Sequence, residues 1–232
     1  MGAKPCASGR LRQVVAKATQ GTSPVPDTAE AAPAHRAVIA KPAASLLVLR
    51  ESALGPAVLM GLRGAGHRFL PNRLVFPGGR VDAADYRAPA ATPLAPAVLA
   101  RLERRAKPAL AQALAIAVAR ELEEETGLGL GQPPALDGLD YLCRAVTPPG
   151  LPIRFNARFF VVAEARVSGT LKGSGELETL RYYPIAEALE LDLVLATRFV
   201  LEQLMAWRAM PEAARATRTR TPVLRNRTVA WE

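Results

Sequence analysis

The stretch 117–128, AVARELEEETGL, constrains the fold of this chain more than any other part of the sequence. On an α-helix, the carboxylates of Glu121, Glu124 and Glu125 share one face, whereas Glu123 points away. Three like charges on one face repel one another, so helix stability alone does not require them. A divalent cation such as Mg²⁺ prefers oxygen ligands. The stretch therefore predicts either a metal-binding helix or a solvated acidic helix end.

Apolar periodicity around this stretch predicts a helix over 110–126. Four apolar residues at helical spacing form its buried stripe, beside the carboxylate face: Ala111, Ala115, Val118 and Leu122. Gly127 follows as the residue that ends the helix, because glycine adopts the left-handed conformation without a steric penalty. The helix is thus expected to pack on a core with one side and to be acidic on the other.

A glycine turn lies upstream of this helix. In the segment 74–85, a short apolar strand leads into Pro77-Gly78-Gly79. Glycine lets the backbone turn tightly and come close to a ligand. The turn alone is weak evidence for a site, and its significance depends on the acidic helix that follows.

The segment 86–112 is rich in alanine and proline and separates the turn from the acidic helix. Thr92 followed by Pro93 resembles a helix N-cap and first helical position. A short basic helix is therefore expected over 94–105.

The remaining hydrophobic patterns predict strands bounded by glycine and proline turns, followed by two helices. Pro42 is expected to divide the first strand region in two. Strands are predicted over 37–40, 44–50, 57–62, 139–147 and 152–167, helices over 185–191 and 196–210, and a terminal strand or loose segment over 222–231.

Composition excludes several classes of protein. The chain has 232 residues, half of them hydrophobic, which favours one core. It contains no apolar run near the length of about 18 residues that a membrane span needs, and no charged start followed by an apolar region. The two cysteines, Cys6 and Cys143, make neither a disulfide framework nor a zinc site. We therefore expect a cytoplasmic protein without a membrane partner.

The net charge of +9 belongs mainly to the ends of the chain. Residues 1–37 contain five basic and two acidic side chains, and residues 206–232 contain six arginines and two acidic side chains. The part between them is close to neutral, with 19 basic and 17 acidic side chains. Because no nucleic-acid-binding motif accompanies the basic ends, no specific nucleic acid is expected as a partner. Residues 1–37 are predicted to be a disordered basic extension, and residues 211–232 a basic tail.

These motifs resemble those of the Nudix hydrolases, whose signature is Gly-x5-Glu-x7-Arg-Glu-apolar-x-Glu-Glu-x-Gly-apolar. The second half is present without exception in 120–128, RELEEETGL. In the first half, Gly79 is followed after five residues by Asp85, where the family has glutamate. The interval from Asp85 to Arg120 holds 34 residues instead of seven. A FPGG turn followed by a long insert is similar to the peroxisomal coenzyme A diphosphatase-like branch.

This resemblance implies an α/β Nudix fold, with a mixed β-sheet sandwiched between helices in a single domain over 38–210. The segment 86–112 would be a helical insertion within the signature. Its basic residues are expected to form a solvated helix surface or to contact the 3′-phosphate of coenzyme A. They are Arg101, Arg104, Arg105 and Lys107.

The resemblance also implies a site for Mg²⁺ or Mn²⁺. Its ligands would be Glu124 and Glu125, with Glu121 as a third ligand or as a base acting through water. The backbone carbonyl of Gly78 would complete this set. Arg120, by the same resemblance, would pair with Asp85 and tie the glycine turn to the helix.

Further site residues are expected outside the signature. Many Nudix proteins place a general base before a late strand, where Glu176 lies after a glycine-rich loop and Glu178 is its competitor. Arg154 and Arg158 stand four positions apart on the strand predicted over 152–167. The same side of the strand would then present both to substrate phosphate, and a solvent-facing pair is the alternative.

The expected function is metal-dependent hydrolysis of a nucleoside diphosphate linked to another moiety, with coenzyme A or acyl-coenzyme A as the first candidate substrate. ADP-ribose, NADH and nucleotide sugars are alternatives within this class. A non-catalytic nucleotide-binding regulatory Nudix domain is the alternative of another class. It is disfavoured because none of the metal ligands is missing. The sequence does not determine the oligomeric state, and a homodimer is one option.

Overall fold

The apolar segment KPAASLLVLR forms the central strand, β1 (Lys41–Arg50), in the computed structural model, which describes residues 38–66 and 69–232. The prediction of two strands divided by Pro42 is wrong. Pro42 is the second residue of β1, and its carbonyl accepts a hydrogen bond from the N–H of Val81 (3.2 Å). A missing N–H is tolerated near the beginning of a strand. The predicted extension 1–37 lies outside the described residues.

Runs of strands and runs of helices follow one another along the rest of the chain. The other strands are β2 (Ala57–Arg63), β3 (Leu74–Val75), β4 (Gly78–Arg80), β5 (Leu128–Gly129), β6 (Asp140–Val146), β7 (Phe155–Ala163), β8 (Ser168–Gly169), β9 (Leu177–Pro184), β10 (Pro222–Arg225) and β11 (Thr228–Trp231). The helices are α1 (Pro96–Glu103), α2 (Pro108–Thr126), α3 (Ile185–Glu190), α4 (Leu195–Ala209) and α5 (Glu212–Thr217), with a 3-10 turn at Glu164–Arg166.

One mixed sheet organises the described part of the chain. Its main path runs in the order β11-β10-β6-β7-β1-β2-β3, and β4 pairs with β1 while β9 pairs with β2. The pairs β1–β7 and β6–β10 are parallel, whereas β4 runs antiparallel to β1 and β6 runs antiparallel to β7. This order places the glycine turn of β4 and the late strand β10 on opposite sides of β1.

Helices cover both faces of the sheet and create two hydrophobic clusters. α1 and α2 pack on one face, where Leu46 and Phe160 are fully buried. α3 and α4 cover the other face, where Leu47 is equally buried. Adjacent residues of β1 thus enter different clusters, as the alternation of a strand requires. The predicted class, an α/β single domain with a mixed sheet between helices, is confirmed.

The acidic helix, α2, has the boundaries that its end residues favour. It begins at Pro108, two residues before the predicted start, because proline is well suited to the first helical position. It ends at Gly127, whose φ of 70° is left-handed and whose N–H donates to the carbonyl of Glu123 at 2.9 Å. The predicted buried stripe is confirmed, since all four of its residues are fully buried: Ala111, Ala115, Val118 and Leu122.

The basic helix α1 is shorter than the predicted range 94–105, and the predicted N-cap is wrong. Pro96 occupies the first turn, after Ala95. The hydroxyl of Thr92 instead donates to the Asp137 carboxylate at 2.6 Å and accepts the N–H of Leu136 at 3.0 Å. Thr92 therefore joins this segment to the loop before β6 by hydrogen bonds, and its hydroxyl does not cap a helix.

The helix α1 is also less solvated than its basic sequence suggested. The Arg101 side chain is almost fully buried and pairs with Asp140, which also accepts a hydrogen bond from the indole N–H of Trp207 at 2.6 Å. Arg105 remains exposed and donates to the Glu232 carboxylate at 2.9 Å. A wholly solvated basic helix is thus a wrong prediction for Arg101, because the helix packs against β6 and Arg101 also donates to the carbonyl of Arg218 in the C-terminal segment.

The segment 211–232, predicted as a basic tail, contains α5, β10 and β11. Strand β10 extends the sheet beside β6, and Leu224 joins the hydrophobic cluster under α4. Strand β11 pairs back on β10 through a two-residue turn at Asn226 and Arg227, whose φ angles are 50° and 64°. Two positive φ values identify a type I′ hairpin turn. The last strands are therefore part of the sheet.

The described residues contain one of the two cysteines and the helices in which a membrane span could be sought. None of the helices in residues 38–66 and 69–232 combines the length and apolar character needed to cross a bilayer. Cys143 is buried within β6 with a free thiol, and Cys6 lies outside the described residues.

Candidate active site

The glycine turn lies directly against β1. Gly78 and Gly79 pair with Ser45 and Ala44, and Gly78 has a φ of 147°, a conformation that residues with a side chain rarely adopt. A Cβ atom on Gly78 would overlap the Ala44 carbonyl and the Ser45 backbone. A Cβ atom on Gly79 would overlap the carboxylate of Glu121. Both glycines are thus required by the close approach of β4 to β1 and α2.

The carboxyl group of Glu125 binds the same turn from the other side. Its Oε2 accepts a hydrogen bond from the N–H of Gly78 at 2.8 Å, and the residue is 2% exposed. Burial raises the pKa of Glu125 to about 8, and the nearby negative charges of Glu176 and Glu121 add to this increase. Three carboxyl groups therefore lie close enough to disfavour one another's ionisation.

Arg120 ties the turn to the helix, as predicted. Its Nε and Nη2 donate to the two carboxylate oxygens of Asp85 at 3.0 and 3.2 Å, and Nη2 also donates to the carbonyl of Arg80 at 3.1 Å. Asp85 is 2% exposed and also accepts the N–H of Asp82 at 2.7 Å. The hydrogen bond to Asp85 raises the pKa of Arg120 above its ordinary value, against the opposing effect of burial.

Arg120 also holds two of the predicted metal ligands. Its Nη1 lies 2.8 Å from Oε1 of Glu121 and 2.9 Å from Oε2 of Glu124. Across residues 38–66 and 69–232, no three acidic, histidine or cysteine side chains already converge on one point as a metal site. The guanidinium takes the place of a cation between the two carboxylates. Because Glu124 is 58% exposed at its side chain, it can rotate away from Arg120 without disturbing the core.

Glu176 reaches the same site from the loop before β9. It pairs with Arg63 at 2.8 Å and lines the cavity that contains Glu121 and Glu124. Its competitor, Glu178, lies on β9 opposite Leu62 and outside the residues that line the cavity. The structure thus brings Glu176 to the other carboxylates and leaves Glu178 on the sheet.

A cavity of about 1200 Å³ extends from these carboxylates along the face of the sheet. Two edge-to-face aromatic pairs stand at its wall: Phe69 with Phe155, at a centroid distance of 4.8 Å, and Phe76 with Phe159, at 6.2 Å. Such a cavity has room for a nucleotide-sized ligand, since small-molecule sites usually occupy a few hundred to about 1000 Å³.

The structure separates the two arginines that were predicted as substrate ligands. Arg154 lines the cavity and donates to the carbonyls of Thr147 (3.1 Å) and Val38 (2.5 Å). Arg158 is 1% exposed, and its guanidinium donates to the carbonyls of Asn156 (3.0 Å) and Arg105 (2.9 Å), on the α1 side of β7. Only Arg154 is positioned at the cavity.

Sequence reasoning missed other residues at the cavity. Arg63 pairs with Glu176, and Leu224 and Arg227 of the C-terminal hairpin complete the far wall. A usable signal existed for the hairpin, because the apolar runs PVLR and TVAW flank a two-residue turn beginning with asparagine. For Arg63 the sequence contains no comparable signal, since its partner lies on a distant loop.

We expect Asp85→Asn to lower the free energy of unfolding by about 2 kcal/mol, because it leaves one edge of the Arg120 fork without its buried carboxylate. Urea denaturation of the purified variant measures this loss. Asp82→Asn is the matched control, since Asp82 is exposed and lies 3.9 Å from Arg120, and its loss should be near zero. Equal stability of the Asp85 variant and the wild type would contradict the proposed tie.

Comparisons with known proteins find a similar family model and similar solved structures. The family model for the NUDIX domain matches residues 105–204, a range that includes all of α2. A solved NUDIX hydrolase from Alicyclobacillus acidocaldarius has a TM-score of 0.59 and 26% sequence identity, covering 77% of this chain and 96% of that chain. The MutT NUDIX hydrolase from Burkholderia pseudomallei has a TM-score of 0.47 and 21% sequence identity, and the match covers 72% of this chain and 99% of that chain. No curated protein matches the sequence.

Proposed function

We propose that this chain is a Nudix hydrolase, an enzyme that acts on a phosphoanhydride bond, and that it cleaves a nucleoside diphosphate joined to a second moiety. The observation that supports this most strongly is the gathering of Glu121, Glu124, Glu125 and Glu176 around the Gly78 turn at one end of a nucleotide-sized cavity. A purely structural acidic helix would have no reason to direct carboxyl groups into such a cavity.

The donor set fits Mg²⁺ or Mn²⁺, because it consists of hard oxygen ligands and carries more negative charge than one guanidinium balances. We propose that Glu124, Glu125 and Glu121 hold the ion, together with the Gly78 carbonyl. When bound, such an ion neutralises the diphosphate and favours attack by water. The raised pKa values of Glu121 and Glu125, caused first by burial, are consistent with carboxyl groups placed for a cationic ligand.

The remaining side chains have roles that follow from their positions. Glu176 lines the cavity and is proposed to accept the proton of the attacking water, with Glu121 as the alternative base. Arg63 orients the Glu176 carboxylate through their ion pair. Arg120 and Asp85 hold the turn against the helix, so they act as positioning residues.

The cavity beyond the carboxylates supports a substrate with a large second moiety. Its walls are mostly apolar and include four phenylalanine side chains, which suit a base or another flat or apolar group. We propose coenzyme A or acyl-coenzyme A as the first substrate to examine. ADP-ribose, NADH and nucleotide sugars fit the same chemical requirement and form the rest of the test set.

The direct test is to incubate the protein with Mg²⁺ or Mn²⁺ and each of these compounds, and to identify the products by mass spectrometry. Hydrolysis at the phosphoanhydride, with a nucleoside monophosphate or bisphosphate as one product, is the expected result. Binding of a nucleotide without turnover of any compound would instead identify a regulatory domain. Release of a product by cleavage of any other bond would reject the proposed reaction.

We expect saturating Mg²⁺ to raise the free energy of unfolding by about 2.7 kcal/mol at a hundred times its Kd, because the ion binds only the folded arrangement of carboxylates. Thermal melting with and without Mg²⁺ measures this gain, and EDTA should reverse it. Sodium chloride at matched ionic strength is the control. A melting temperature that responds equally to both salts would show that no specific cation site exists.

A further inference from the structure

The active-site cavity extends far beyond the carboxylates, across five strands. Five residues that are register partners in successive strands line it, in the order Arg80 (β4), Ala43 (β1), Ala157 (β7), Ala145 (β6) and Leu224 (β10). Register partners point to the same face of a sheet. Four strand spacings separate the ends of this row, a distance of about 19 Å. The cavity is therefore much longer than a diphosphate.

The acidic side chains that line this cavity are confined to one of its ends, where three arginines also line it. The acidic side chains that line it all belong to the β4 turn, to α2 or to the loop before β9: Asp82, Glu121, Glu124 and Glu176. The far wall is built from β10, the end of β6 and the segment before β7. In the described part of the chain, its charged lining residues are the cations Arg154 and Arg227. A ligand that fills the cavity thus meets positive charge at the end opposite the carboxylates.

At this end of the cavity, Arg227 is the cation whose guanidinium has donors available to bind a ligand. It stands in the turn between β10 and β11, where the backbone φ is 64°. Arg154 already donates to two backbone carbonyls, but no hydrogen bond or ion pair joins the Arg227 guanidinium to any residue in 38–66 or 69–232. A free guanidinium presents a planar fork of donors that matches the geometry of a phosphate.

The first turn of α4 increases the positive potential at this end. Trp207, near the C-terminus of α4, contacts Asp140 at the start of β6. The helix therefore runs back along β6, and residues 194–197 at its beginning line the cavity beside Val146 and Thr147. This first turn contains no acidic side chain and no side-chain cap. Its unpaired N–H groups favour an anion nearby.

We propose that Arg227 binds a phosphomonoester of the substrate, separate from the phosphoanhydride that is cleaved, and so selects nucleotides that carry this additional phosphate. The proposal rests on the proposed function, because it concerns the far end of the same cavity. Arg227 lines one end of the cavity and Glu121, Glu124 and Glu176 line the other. The row of strands between them spans about 19 Å, so the second phosphate would lie well apart from the phosphoanhydride. The C-terminal hairpin thereby becomes a specificity element of the active site.

The charge of Arg227 can be removed by substitutions that do not destabilise the hairpin turn. Glycine and asparagine both accept the left-handed backbone at this position, so Arg227→Gly and Arg227→Asn should melt at or above the temperature of the wild type. Arg227→Lys keeps the charge and loses the fork. Arg225→Ala is the matched control, since Arg225 is exposed on the same hairpin but does not line the cavity.

The test compares substrates that differ by one phosphomonoester: coenzyme A with 3′-dephospho-coenzyme A, and NADPH with NADH. The wild type should prefer the more phosphorylated member of at least one pair in kcat/KM. Arg227→Gly and Arg227→Asn should lower this preference about tenfold, mainly through KM, while Arg227→Lys retains part of it. Arg225→Ala should keep it. No preference in the wild type, or an equal loss for both members of the pair, would overturn the proposal.

A binding measurement keeps this result distinct from failure of the proposed reaction. Adenosine 3′,5′-bisphosphate, adenosine 2′,5′-bisphosphate and AMP contain no phosphoanhydride, so calorimetric titration with them in Mg²⁺ does not depend on hydrolysis. If no diphosphate is cleaved, tighter binding of a bisphosphate than of AMP, lost in Arg227→Gly, still supports the role of Arg227. Equal binding of all three probes by the wild type and the variant would reject it.

Discussion

Replacing Glu124 by glutamine should lower kcat by about a hundred- to a thousandfold, the usual loss when one electrostatic contribution to a transition state is removed. Glutamine keeps the size of the side chain but removes the negative charge proposed to hold the metal ion. Because Glu124 is largely exposed and its carboxylate contacts Arg120 at 2.9 Å, folding should be little affected. Steady-state rates with the best substrate in saturating Mg²⁺, together with a thermal melt, measure both effects.

Glu123→Gln is the matched control for this substitution. Glu123 belongs to the same helix and carries the same charge, but its carboxylate accepts a hydrogen bond from Gln132 at 2.6 Å and does not line the cavity. Its rate should stay within about twofold of the wild type, as expected for a surface substitution. Turnover by Glu124→Gln at the rate of Glu123→Gln would refute a catalytic role for the acidic face.

Gly78→Ala should lower the free energy of unfolding by about 3 kcal/mol or more, since it combines an unfavourable backbone conformation with overpacking. The φ of Gly78 is 147°, and the new methyl group would overlap the backbone of Ala44 and Ser45 in the central strand. Neither of these backbone groups can move without disturbing the pairing of β4 with β1. Urea denaturation measures the loss, and residual activity should fall with the displaced turn.

Gly66→Ala provides the comparison, because a Cβ atom on Gly66 meets nothing within 4 Å and its backbone does not require glycine. Its stability should equal or slightly exceed that of the wild type. A Gly78 variant as stable as the Gly66 variant would show that β4 can move away from β1, contrary to the tight approach described above.

The acidic helix and the fold class were predictable from sequence because their causes are local. The buried stripe of α2 repeats at helical spacing, and Gly127 ends the helix through its own conformational freedom. The tie between Arg120 and Asp85 followed from the resemblance of the signature. In these cases the residues that determine the structure lie close together in the sequence, on one helix, or belong to one recognisable motif.

The errors arose where long-range pairing decides the outcome. Pro42 does not interrupt β1 because β4 and β7 hold the strand on both sides. Thr92 does not cap a helix because Asp137 lies within reach of its hydroxyl. The expectation that Arg154 and Arg158 share a face assumed a regular strand through both, but β7 begins after Arg154, and alternation does not extend beyond it.

The pairing of Arg120 with Asp85 closes a chain segment whose ends are 35 positions apart. The entropy lost on closing a segment grows only with the logarithm of its length, and each doubling adds about 0.6 kcal/mol. Closure entropy therefore places little limit on how many residues can lie between the two halves of the site. The length of this segment is constrained instead by its own packing, since Leu102 and Arg101 of α1 are buried in the fold.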